Sequence, residues 1–245
     1  MNTLDSPTLE QLIHSQPHLW RGHSRASHHL APVINTGFPK LNKALPDGGW
    51  PTHGLMEWIV PHWGVGELSL LLPLLLHFNL QSRWCSWLCA PYSPCAQTLA
   101  QQGLDLRYLL LIPKVQSSAS ALKQTKKYTQ RAKHSEQHPD QNLFWSMEKL
   151  LANPTCGITL AWPQQPTLQH LRRIHLAATN GHNLAVVFQQ KALTNTPTPL
   201  RIKLTSSANQ NENPNSNPQA LRPSLKVEIL KARGSLSSRS LQLDL

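Results

Sequence analysis

The stretch Leu55–Leu76, LMEWIVPHWGVGELSLLLPLLL, joins a short apolar run, a turn with glycines and a longer apolar run. The first run, Met56–Val60, has the length of a buried strand, and the second, from Leu68 onward, has the length of a helix. Gly64 and Gly66 interrupt the chain between the two runs. This order predicts a β-strand, a tight loop and an α-helix, the unit from which parallel α/β sheets are built.

The predicted loop lies where nucleotide-binding proteins carry a phosphate loop. A working loop of the G-x-x-x-x-G-K-[ST] type supplies backbone N–H groups for phosphates, a lysine for their charge and a hydroxyl for magnesium. Here Glu67 stands where the lysine is needed, and Leu68 stands where the hydroxyl is needed. A carboxylate repels a triphosphate, so we expect Gly64, Gly66, Glu67 and Leu68 to form a degenerate phosphate loop that binds no cofactor.

The composition describes a basic chain of one-domain size. The 245 residues include 23 Lys and Arg against 12 Asp and Glu, which gives a formal net charge of +11, and 13 His. This length suits one large domain with tails. The positive charge predicts salt-sensitive attraction to nucleic acid or to an acidic protein, while a basic protein without such a partner fits the composition as well.

Cysteine spacing and hydropathy indicate a reduced, cytoplasmic protein without a membrane segment. The four cysteines form no C-x-x-C pair, so the sequence indicates neither a zinc site nor a disulfide framework. We expect buried thiols at Cys85, Cys89, Cys95 and Cys156. The N-terminus lacks the basic start and apolar run of a signal peptide. The apolar segment Leu68–Leu80 contains Pro73 and is too short to cross a bilayer.

Several short stretches, taken in order, carry a resemblance to a known family. They are ALPDGGWP at 44–51, GVGEL at 64–68, LAWP at 160–163 and LRRIHLAA at 171–178. Together they resemble the RecA recombinase family and, within it, the ImuA proteins of bacterial translesion synthesis. The cell-division inhibitor SulA resembles a related but shorter protein. The resemblance implies an α/β fold: a RecA-like core with a mostly parallel central sheet flanked by helices and a C-terminal β-hairpin.

The domain organisation follows from this resemblance and from composition. We expect a flexible N-terminal arm at 1–30 and one degenerate RecA-like domain at 31–245 with insertions at about 114–141 and 205–222. The first insertion is polar and basic and includes Lys126, Lys127 and Tyr128. Such a segment can follow a phosphate backbone and stack a base, and a solvated loop explains it equally well.

The resemblance also implies that the chain is not an enzyme. RecA-like ATPases carry a catalytic glutamate after one strand and an aspartate that orients magnesium at the end of another. The match puts Pro91 and Trp162 at these two positions. Together with Glu67 and Leu68, every recognisable side chain that handles ATP is replaced, so we expect no catalytic residue and no metal site.

Binding candidates are cationic and polar residues on a predicted helix, after a predicted strand and in a predicted turn. Arg172 and Arg173 lie on the helix predicted over 166–180, and neighbouring arginines suit phosphate or carboxylate. The resemblance makes Gln190, after a predicted strand, the remnant of a nucleotide-sensing glutamine. Lys231 and Arg233 lie in the turn of the predicted hairpin. For Arg172 and Arg173, the alternative is an exposed charged helix face. For the hairpin turn, the alternative is an ordinary charged turn at a sheet edge.

The function implied by the resemblance is that of a non-catalytic adaptor in SOS-induced, error-prone translesion DNA synthesis. Its implied partners are an ImuB-type polymerase-like protein, an error-prone DnaE-type polymerase, RecA as a further candidate, and DNA through the basic surface. Two alternatives stay open: a RecA-like ATPase that still binds nucleotide, and a SulA-like inhibitor of the division protein FtsZ. Glu67 argues against the first, and the C-terminal strands, absent from a short inhibitor, argue against the second.

Overall fold

The computed structural model describes residues 32–114, 139–207, 224–232 and 239–244. From Val33 onward these residues belong to one unit of the chain, Val33–Leu245. The predicted arm at 1–30, most of both predicted insertions, and the candidates Lys126, Lys127 and Arg233 lie outside the described residues.

Eight strands form one mixed sheet. They are β3 (Gly54–Ile59), β4 (Trp84–Leu88), β5 (Leu109–Ile112), β6 (Cys156–Ala161), β7 (Leu184–Gln189), β8 (Leu200–Ser207), β9 (Ser224–Ala232) and β10 (Arg239–Asp244). Their order is β10-β9-β8-β3-β7-β6-β4-β5. Neighbours from β8 to β5 pair in parallel, whereas β9 is antiparallel to β8 and to β10. The predicted α/β class with a mostly parallel sheet is therefore confirmed.

Helices cover both faces of this sheet. They are α1 (Pro39–Ala44), α2 (Glu67–Asn79), α3 (Ala96–Gln101), α4 (Gln141–Leu151) and α5 (Leu168–Asn180). The first three contribute to one core cluster and the last two to another. A short antiparallel pair, β1 (Val33–Ile34) and β2 (Trp50–Pro51), stands apart from the large sheet.

The central strand β3 shows why the stretch Leu55–Leu76 decides the fold. All its residues are buried. Met56 and Trp58 pack in the cluster that includes α2, and Leu55 packs in the cluster that includes α4 and α5. A strand covered on both faces is mostly apolar on both, so its residues other than Glu57 form an apolar run rather than an alternating pattern.

The predicted C-terminal hairpin is present as β9 and β10, with Leu241 opposite Val227. Two details of the prediction are wrong. Strand β8 continues beyond residue 204 into the predicted insertion, because Thr205 pairs with Lys226 of β9. Lys231 is not in a turn: it lies within β9 opposite Arg201, so the strand ladder fixes its position.

The cysteines divide into buried and accessible thiols. Burial raises the pKa of Cys85 to about 12, with Cys156 nearby adding to the shift, and burial also raises the pKa of Cys156. Both thiols are therefore unreactive at neutral pH. The expectation of a buried thiol is wrong for Cys95, which is exposed in the segment before α3. Among the described helices, none combines the length and the apolarity needed to span a bilayer.

Candidate functional site

The loop between β3 and α2 is closed by its own carboxylate. The backbone N–H of Gly64 donates to Glu67 Oε1 at 2.8 Å, and the N–H of Gly66 donates to Glu67 Oε2 at 3.1 Å. The Glu67 side chain is buried, with the residue 7% exposed. Backbone N–H groups of this kind bind phosphate oxygens in phosphate loops. Here an oxygen of Glu67 accepts each of the two hydrogen bonds.

The local backbone explains how this arrangement forms. Gly64 and Gly66 have φ angles of +86° and +110°, which side chains with a Cβ rarely adopt. These angles turn the two N–H groups toward the start of α2. Glu67 is the first residue of α2, where the helix dipole favours a negative charge. Leu68 is 37% exposed and offers no oxygen ligand for a metal ion.

Aromatic rings lie at the strand end for which the resemblance implied an aspartate. Trp162 follows β6 and stacks on Phe188 of β7, with ring centroids 4.4 Å apart and planes within 4° of parallel. Its backbone N–H continues the ladder by donating to Leu88 O of β4. Trp87 of β4 lies 5.9 Å from Trp162 between ring centroids. The ring of Trp162 therefore fills space between the ends of three neighbouring strands.

The aromatic row continues across the sheet toward β2. Trp58 meets Phe188 edge to face at 5.6 Å, and Trp50 lies 5.5 Å from Trp58. These rings belong to the same core cluster as α2. Pro91, the position implied for a catalytic glutamate, is exposed beyond the end of β4. The implied catalytic positions thus carry groups that transfer no proton and bind no magnesium.

A buried polar cluster lies on the opposite side of the central strand. Glu57 of β3 is fully buried, and its carboxylate accepts from Arg201 Nη2 of β8 at 3.3 Å and 3.4 Å. The Nε2 of Gln189 at the end of β7 donates to Glu57 Oε2 at 3.0 Å. The hydroxyl of Thr196 donates to Glu57 Oε1, and the Nζ of Lys231 donates to Thr196 O at 2.8 Å. Glu57 therefore joins three neighbouring strands and the loop before β8.

The glutamine that contacts this cluster is the neighbour of the predicted candidate Gln190. Gln190 is exposed just after β7, whereas Gln189 is buried and contacts Glu57. Glu57 forms its ion pair with Arg201 on an inner strand of the sheet. A charged residue within an apolar strand, and Arg201 between apolar neighbours in β8, were the signals that would have found the pair.

The remaining candidates do not form one site. Arg173 on α5 donates to Glu148 Oε2 of α4 at 2.8 Å. Arg172 is exposed on α5, and no ion pair involves it within the described residues. Lys231 belongs to β9 and contacts the polar cluster instead. Among the described residues, no group of His, Cys, Asp and Glu side chains has the geometry of a metal site.

Comparisons with known proteins identify no family for the chain. No family model matches the sequence, and none of the curated proteins matches it. Among solved structures, the chain is similar to the crystal structure of SulA from Pseudomonas aeruginosa, at 16% sequence identity and a TM-score of 0.37. That match covers 55% of this chain and 96% of the SulA chain. Likeness at this level does not carry a function from SulA to this chain.

Proposed function

We propose that the chain is a non-catalytic, RecA-like accessory protein of the ImuA type that acts as an adaptor in SOS-induced, error-prone translesion DNA synthesis. The observation that carries the non-catalytic part is the Glu67 carboxylate, which accepts the N–H groups of Gly64 and Gly66. The order of the sequence motifs supports the ImuA type.

The electrostatics of the loop support a protein that works without nucleotide. A triphosphate entering this loop has to displace Glu67 from both N–H groups and then lie beside the displaced carboxylate. Like charges at about 4 Å repel by about 1 kcal/mol in water and by several times more in a partly buried site. The stack of Trp162 on Phe188 adds a second obstacle, because no carboxylate is present there to hold magnesium.

An adaptor is the role that suits such a core. Nucleotide-dependent switching needs a phosphate that orders or releases a segment, and a loop closed by its own side chain lacks that input. The protein then presents a constant surface to its partners, which we propose are an ImuB-type polymerase-like protein, a DnaE-type polymerase, RecA and DNA. The net charge of +11 attracts the assembly to DNA.

The wild-type protein is expected to show no saturable binding of a fluorescent ATP analogue with Mg²⁺, with any Kd above about 1 mM. The reason is that Glu67 already accepts both loop N–H groups. Glu67→Lys, which frees these groups and restores a cation, is the matched variant in which phosphate affinity is expected to appear. Micromolar binding by the wild type that is lost in Gly66→Ala would support the active ATPase and overturn this proposal.

Deleting the gene is expected to abolish most damage-induced mutagenesis while leaving division after damage unchanged. The frequency of resistance mutations after ultraviolet irradiation and the cell length measure these two outcomes separately. Complementation with Gly66→Ala, which distorts only the loop, is expected to restore mutagenesis because no nucleotide is needed. Normal mutagenesis together with loss of filamentation in the deletion strain would favour the SulA-like inhibitor instead.

A further inference from the structure

Helices α4 and α5 form a rigid pair on one face of the sheet. Arg173 of α5 is ion-paired with Glu148 of α4 at 2.8 Å. Nearby, the ring of His170 of α5 stacks on Phe144 of α4, with centroids 4.2 Å apart. Leu143, Phe144 and Met147 bury the inner side of α4 in the core. Side chains on the outer side of this pair are therefore presented from a fixed support.

An exposed tryptophan lies on that outer side. The side chain of Trp145 is 57% exposed, although tryptophan is usually largely buried. One turn along α4, the Lys149 Nζ lies 5.9 Å from the centroid of the Trp145 ring. A flat aromatic face next to a cation is the combination that stacks a nucleic-acid base and contacts its phosphate.

The charge of the two helices decides which kind of partner fits. Glu148 is the one acidic residue of α4 and α5, and Arg173 neutralises it. Lys149 and Arg172 remain as exposed cations. We call Trp145, Lys149 and the neighbouring Glu148–Arg173 ion pair the Trp145 surface. Its excess positive charge favours a polyanion, and its exposed indole favours a polyanion with accessible bases.

We propose that the Trp145 surface binds single-stranded nucleic acid, with a base stacked on Trp145 and a phosphate near Lys149. The inference rests on the proposed function in so far as that function includes contact with DNA. Duplex DNA fits less well, because its bases are already stacked on one another and cannot lie against the indole. The surface therefore selects the single strands exposed at stalled replication.

Fluorescence anisotropy of the full chain with a labelled thymidine oligonucleotide of about 20 nucleotides tests this surface. Trp145→Ala is expected to weaken binding by about 5- to 150-fold, the loss that follows removal of one stacked base. Lys149→Ala is expected to lower the slope of log K against log salt by about 0.7. A duplex of the same length is expected to bind more weakly and to be insensitive to Trp145→Ala.

The matched control is Trp84→Ala, since Trp84 is also partly exposed, at 36%, and lies at the start of β4. This variant is expected to bind the oligonucleotide within about twofold of wild type, because no stacking site is removed. Equal binding by Trp145→Ala and wild type overturns the assignment and indicates a protein partner for this surface. Equal weakening in both tryptophan variants also overturns it. If the wild type itself does not bind the oligonucleotide, DNA contact in the proposed function fails as well.

Discussion

Replacing Glu57 with alanine is expected to lower the free energy of unfolding by about 3–5 kcal/mol, because it leaves Arg201 as a buried, unpaired cation. The Arg201 side chain is only 12% exposed and that of Glu57 is fully buried. Gln189 and Thr196 lose an acceptor at the same time. Urea denaturation followed by circular dichroism measures the loss.

A matched control separates burial from charge. Glu148→Ala removes a carboxylate from an ion pair whose side chains are 23% and 55% exposed, and exposed pairs contribute about 0–1 kcal/mol. The double variant Glu57→Met with Arg201→Met is expected to recover most of the lost stability, because a buried ion pair replaced by apolar residues is often neutral. A loss below about 1 kcal/mol in Glu57→Ala would contradict a structural role for this pair.

Trp162→Ala is expected to lower the free energy of unfolding by about 3–5 kcal/mol, the range for removing a large buried aromatic residue. The side chain is 7% exposed and stacks on Phe188, so its removal leaves a cavity between the ends of β4, β6 and β7. Thermal and urea unfolding both report the change. Trp162→Phe, which keeps a ring against Phe188, is expected to lose less.

The aspartate that the resemblance implied for this position is expected to be worse than alanine. Trp162→Asp puts a carboxylate against Phe188 and Trp87, and a polar group buried without a partner adds a further cost of about 1–3 kcal/mol. Trp145→Ala, at an exposed tryptophan, is the control and is expected to change stability by no more than about 0.5 kcal/mol. Equal stability of Trp162→Asp and wild type would show that the site still accommodates a carboxylate.

Local pattern predicted several elements of the fold. The apolar run of β3, the longer apolar run of α2 and the helix predicted over 166–180 all depend on which side chains face the core. The boundaries were less accurate at β8 and β9, because the predicted insertion began inside β8 and Lys231 was predicted in a turn. Those boundaries depend on pairing with a neighbouring strand, and such pairing is not encoded in local spacing.

The sequence also predicted one part of the candidate site, while another part required the structure. Glu67 and Leu68 in place of a lysine and a hydroxyl were visible in the sequence, because a phosphate loop is a local motif. The hydrogen bonds from Gly64 and Gly66 to the Glu67 carboxylate were not visible, since they depend on the φ angles that turn the loop back on α2. The sequence shows that the lysine is absent; only the folded loop shows that Glu67 accepts the hydrogen bonds of the Gly64 and Gly66 N–H groups.

By itself, the sequence predicted the α/β class, the central buried strand and the absence of a lysine and a hydroxyl after Gly66, because these follow from local periodicity and residue chemistry. Only the tertiary structure decided that Gln189 and Arg201 meet Glu57, since parallel strands β7 and β8 bring residues from distant parts of the chain to either side of β3. It also decided that Trp145 is exposed while Trp162 is buried. Both tryptophans follow an apolar residue in the sequence, Phe144 and Ala161, and packing against the sheet distinguishes them.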